Sequence, residues 1–152
     1  METNLERIRR IMLATTRMDG AYYFFAKTLG LKENTLLLLY ALNDGKPHSQ
    51  KEICTDWQIP KTTISTVVKE LKHRGYVTLS SREGSREKNI LLTAEGIAYS
   101  EKIMESVYEA ESIAMESTLD KYSPEFVDAI DYFSHYIKDE IQKRLTQNRG
   151  DK

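Results

Sequence analysis

A chain of 152 residues, 40% hydrophobic and 30% charged, is one domain by size and can bury a core, with room for a dimer interface to supply part of it. Its single cysteine excludes an intrachain disulfide and fits a reducing cytoplasm. No apolar run approaches a membrane span, and the Arg-rich N-terminus lacks the continuous apolar core of a secretory signal. The net charge of −1 argues against a polyanionic partner only until it is resolved along the chain: residues 46–90 carry nine Lys/Arg and five Asp/Glu, residues 93–141 three and twelve.

From about Asn4 to Leu29, Ile8, Ile11, Met18, Tyr22, Phe25 and Leu29 recur at helical spacing, and Tyr23 and Phe24 widen the apolar surface. Such a helix must be covered on more than one side, and Gly30 ends it. A short second helix is expected over Glu33–Asn43, buried because Leu36–Leu39 is apolar all round. Asp44-Gly45 signals a turn. Ser49 and Glu52 form a capping box that opens a third helix, expected to carry Ile53, Cys54 and Trp57 inward until Gln58-Ile59-Pro60 stops it. A fourth helix opens near Pro60 and runs to about Arg74, where Gly75 supplies a left-handed cap.

Tyr76–Ser80 and Asn89–Leu92 then read as two strands of a hairpin. Thr93 caps a long helix to about Leu119, with Ile97, Met104, Val107 and Tyr108 expected on its inner side. Ser123-Pro124 opens the last helix, whose seam is Phe126, Ile130, Phe133, Ile137, Ile141 and Leu145. The first, fifth and sixth helices thus carry apolar stripes that a small central domain cannot cover, and pairing of two chains through these helices is the economical solution.

The fourth helix has opposed faces. Ile64, Val67, Val68 and Leu71 make an apolar stripe; Thr62, Ser65, Thr66 and Lys69 lie on the other side. A merely solvated face would be rich in long Glu and Lys side chains. Short hydroxyls with one cation can approach base edges and phosphates closely. Downstream, residues 81–88 contain no large apolar side chain and include Arg82, Arg86 and Lys88, so they read as a charged hairpin tip in solvent. Helix, turn, helix and hairpin make a winged helix-turn-helix in a mostly α chain with a small β component.

The run SQKEICTDWQIPKTTISTVVKELKHRGYV, the hairpin after it and LLTAEG at 91–96 resemble the MarR family of bacterial transcriptional regulators. The flanking helices also match the family's layout. The resemblance implies helices at 1–30 and 120–152 that pair two chains, a winged DNA-binding domain at 31–93 and a linking helix at 94–119. It further implies a homodimeric regulator, a repressor, that binds a pseudo-palindromic duplex operator and is released by a small effector or by oxidation. Two-fold symmetry would set two recognition helices one DNA turn apart, about 34–36 Å. The contacts expected on DNA are Lys61, Thr62, Thr63, Ser65, Thr66, Lys69 and His73 from the helix, with Arg82, Arg86 and Lys88 from the wing. At the wing tip the family has Asp-x-Arg where this chain has Gly84-Ser85-Arg86. Arg86 is retained without the carboxylate that orients it, so Gly84→Asp is expected to pre-organise the wing.

Other chemistries find little support. Cys54 reads as a small buried hydrophobe rather than a redox switch. His48, His73 and His135 lack metal-ligand spacing, and no Gly-rich phosphate loop is present, so neither metal nor cofactor is expected. Tyr22, Tyr23, Phe25 and Trp57 fit a ligand pocket and core packing equally well. No nucleophile–base pair or carboxylate pair can be assembled, which argues against an enzyme. The alternative is a winged helix that binds another protein through the same surface; a wing with exposed Leu or Phe would have favoured it.

Overall fold

The structure, a computed structural model, describes residues 2–81, 84 and 87–150, with side chains to residue 147. The chain divides into two compact units, 1–105 and 106–152. In the first, α1 (Asn4–Thr28) begins with a capping box in which Thr3 accepts from the Glu6 amide and Glu6 reaches back to the Thr3 amide. α2 (Glu33–Leu42) supplies the centre of the core, since Leu36, Leu38, Leu39 and Leu42 are all buried.

A short strand follows that the sequence did not predict. β1 (His48–Ser49) pairs antiparallel with β3 (Lys88–Leu92), which pairs with β2 (Val77–Ser81), giving the order β1-β3-β2. The wing therefore belongs to a three-stranded sheet rather than to a two-stranded hairpin. Two residues are too few to show a strand period, which is why the sequence left β1 silent. Ser49 ends β1 and also caps α3 (Gln50–Asp56): its hydroxyl accepts from the Glu52 amide at 3.1 Å, and the Glu52 carboxylate accepts from the Ser49 amide at 2.7 Å.

α3 buries Ile53, whereas Cys54 is half-exposed and Trp57 is 38% exposed. Both stood inward in the sequence reading. A helix of seven residues has one core-facing line, and Ile53 occupies it. Trp57 instead meets the Tyr40 ring edge-on, with centroids 5.4 Å apart. Gln58, at φ +52, turns the chain into α4 (Lys61–His73), and its side-chain amide donates to the Thr55 carbonyl.

α4 buries the predicted stripe Ile64, Val67, Val68 and Leu71 against α2, α3 and β2. Truncating Ile64 or Leu71 to Ala would cost about 2–5 kcal/mol. Gly75, at φ +78, lets the Tyr76 amide donate to the Leu71 carbonyl and its own amide to that of Lys72. A side chain with a Cβ would be strained there.

α5 (Ala94–Leu119) packs Gly96, Ser100, Ile103 and Met104 inward within the first unit. Ser100 is fully buried and donates to Asn43 Oδ1 at 2.9 Å. Ile97, expected on that face, is 45% exposed. The inward line runs 96, 100, 103, 104, so it is led by a glycine and a serine that hydropathy alone does not mark.

The second unit holds the end of α5 and α6 (Glu125–Gly150), which Ser123 caps by accepting from the Glu125 amide at 3.3 Å. In the single chain Ile130, Ile137, Ile141 and Leu145 of α6 stand exposed, and so, on α1, do Ile8, Ile11 and Met18. No helix among the described residues is long and apolar enough to cross a membrane.

Candidate nucleic-acid interface

The outer face of α4 is composed as the sequence suggests. Lys61, Thr62, Thr66, Lys69 and His73 are exposed, with Thr63 and Ser65 half-exposed between them. The Thr66 hydroxyl donates to the Thr62 carbonyl at 3.0 Å, so its proton is occupied and its oxygen is left to accept from a base. Pro60, as N-cap, provides no side-chain bond to the first turn, whose amides are therefore suited to a phosphate oxygen.

The only carboxylate on α4 is Glu70, and Lys32 holds it at 2.6 Å. Lys32 is the N-cap of α2, so this ion pair ties the start of α2 to the last turns of α4. It also neutralises the one acidic group that would repel DNA from this helix. As an exposed pair it adds at most about 1 kcal/mol to stability. The sequence reading missed it, because partners 38 residues apart leave no local signature.

Lys88, the first residue of β3, is exposed at the wing. Arg82 and Arg86 lie outside the described residues. Gly84, between them in sequence, takes φ +72. An aspartate there would sit in the left-handed region at a cost of up to about 1–2 kcal/mol, which opposes the pre-organisation expected of Gly84→Asp.

The ring residues proposed for a pocket are placed on two elements: Tyr22, Tyr23 and Phe25 on α1, and Trp57 at the end of α3. Tyr23 meets Phe24 edge-on at 5.3 Å, and Trp57 meets Tyr40 as described. Cys54 is half-exposed rather than buried. No group of three or more His, Cys, Asp or Glu that could hold a metal occurs among the described residues.

A family model described as MarR family matches residues 29–87, the winged segment. A MarR family regulator of Neisseria meningitidis superposes with a TM-score of 0.76 at 25% identity, over 94% of this chain and 99% of that one. The winged segment, residues 29–87, thus matches the MarR family.

A MarR family regulator of Silicibacter pomeroyi shares the fold at 16% identity, with a TM-score of 0.67 over 84% of this chain and 92% of its own. BpsR of Bordetella bronchiseptica, whose DNA binding is regulated by 6-hydroxynicotinic acid, matches at 25% identity, with a TM-score of 0.58 over 91% of this chain and 94% of its own. No curated protein sequence matched. The chain thus shares the winged-helix fold of MarR regulators, with α4 as the second helix of its helix-turn-helix.

Proposed function

We propose that this chain is a homodimeric repressor that binds a pseudo-palindromic duplex operator and whose affinity is set by a small-molecule effector. The observation that carries the reading is the outer face of α4. Thr62, Ser65, Thr66 and Lys69 stand opposite a buried apolar stripe, Lys61 and Thr63 flank them, and the one carboxylate is already paired. Thr62, Thr63, Ser65 and Thr66 contact base edges; Lys61, Lys69 and His73 lie at phosphates; the wing residues Arg82, Arg86 and Lys88 reach the adjacent groove.

Two chains supply the two half-sites. The exposed apolar residues of α1 and of α6 support that assembly, because isolated helices with such faces are not stable in water. The effector part of the reading draws on BpsR, and Tyr22, Tyr23, Phe25 and Trp57 are the residues proposed to line its site. Action on an operator places the protein in the cytoplasm, with no membrane contact.

Selection of bound fragments from a random duplex library by the purified protein tests the reading. Recovery of a palindrome with half-sites one helical turn apart is the expected result. A library that stays random after several rounds, at low salt, would overturn it.

A further inference from the structure

The C-terminal end of the recognition helix is gripped by the start of α5. The Thr93 hydroxyl donates to the Gly75 carbonyl at 2.6 Å and accepts from the Gly96 amide at 3.0 Å. Gly96 lies directly against the Tyr76 backbone, where no Cβ fits. One turn further along α5, the Tyr99 ring stacks on that of Tyr76, with centroids 4.2 Å apart and planes 10° from parallel. The Arg74 guanidinium lies over both rings, 4.9 Å from one centroid and 5.2 Å from the other. Arg74 is the C-cap of α4, and Tyr76 is the second residue beyond it.

The contacts of Thr93 and Gly96 are with backbone and locate the chain. The stack is a broad, flat, side-chain contact, and it resists rotation of α4 about that point. It also holds Arg74, a cation of the basic module, on the rings.

We infer that Tyr99 is a positioning residue for DNA recognition: its stack on Tyr76 under Arg74 fixes the direction in which α4 runs from α5. The inference rests on α4 being the element that reads DNA. A helix of 13 residues is about 20 Å long, so a pivot of about 10° at its C-terminal end moves Lys61 and Thr62 by about 3–4 Å. That displacement exceeds the tolerance of a hydrogen bond to a base edge.

Two measurements on the full chain test it, with Tyr99→Phe keeping the aromatic face, Tyr99→Ala removing it, and Tyr99→Leu removing it while retaining bulk should the alanine variant not fold. Thermal unfolding identifies the variants that fold. The first measurement, without DNA, is the distance between nitroxides at Lys61 and Lys102 in a Cys54→Ser background, labelled chains being diluted with unlabelled ones. The distribution should match the parent in Tyr99→Phe and should shift or broaden by about 3 Å in Tyr99→Leu or Tyr99→Ala.

The second is affinity for the selected operator against a random duplex. Loss of the stack should lower specific affinity about tenfold or more while random-duplex affinity and its salt slope stay put. Tyr99→Phe should restore the parent ratio. Unchanged distance distributions in the variants lacking the ring overturn the inference, as does an unchanged affinity ratio. A parent that selects no operator overturns the DNA reading instead, and the distance measurement still decides whether Tyr99 aligns α4.

Discussion

Gly96 stands so close to Tyr76 that a Cβ built on it would lie 1.8 Å from the Tyr76 carbonyl oxygen. That oxygen also accepts from the Thr93 amide at 3.0 Å, so it cannot retreat without breaking the bond that closes the base of the wing. Gly96→Ala should therefore force α5 away from the end of α4. We expect a loss of about 1–3 kcal/mol or more, read as a lowered denaturant midpoint at unchanged slope. A midpoint equal to that of the parent would mean the two segments separate freely.

On α4 the two kinds of contact should separate by mutation. Thr66→Ala removes an acceptor whose own proton is committed to Thr62, so it should relax preference for a base that offers an amino group, by about 1–3 kcal/mol. Lys69→Ala should weaken all duplexes alike and reduce the salt slope by about one. Competition binding across single-base operator variants at several salt concentrations distinguishes them. If neither substitution changes anything, α4 is not the reader.

The exposed residues Ile137 and Ile141 of α6 make the assembly testable. The parent should sediment as a dimer at micromolar concentration. Replacing both isoleucines with Asp should give monomers or unfolded chains, since a charge has no partner in an apolar seam. A well-folded monomeric parent is the outcome that refutes the dimer.

At the wing, Arg86→Ala should weaken operator binding several-fold and relax preference for A·T-rich flanks, because an extended cation gains most in a narrow minor groove. Gly84→Asp should bind no more tightly than the parent, since strain at φ +72 offsets what the carboxylate contributes by orienting Arg86. Affinities of both variants at one fixed salt concentration decide the matter. Parent-like binding by Arg86→Ala would make the wing a spectator.

A fifth expectation concerns acid. Hydrogen bonding from His48, at 2.9 Å, and then from the Lys46 amide holds the Asp44 carboxyl below the usual carboxylate range. A depressed folded pKa contributes stability that is complete above the unfolded value and is lost as pH falls through the folded one. Asp44→Asn should therefore flatten part of the decline in stability below the usual carboxylate range and leave its shape near neutrality unchanged. The Asp44 side chain is 41% exposed, so solvent screening keeps the contribution small. Urea midpoints across the acid limb, parent against variant, measure it.

What the sequence determined by itself were features set by neighbours within about one helical turn. The Ser49–Glu52 capping box, the left-handed end at Gly75 and the opposed faces of α4 all stand where spacing placed them. The resemblance of the winged segment to MarR regulators also held, because its motifs are themselves local.

Tertiary structure alone decided which distant groups meet. β1 exists only because β3 lies beside it, and a strand of two residues has no period to betray it. Ile97 points outward, while Ser100 points inward and donates to Asn43. Lys32 reaches Glu70 across 38 residues, and Tyr99 finds Tyr76 only once Gly96 has let two backbones touch. Hydropathy records what a residue avoids, not which partner stands opposite, so the faces of α4 were legible in the sequence and the contacts at its C-terminal end were not.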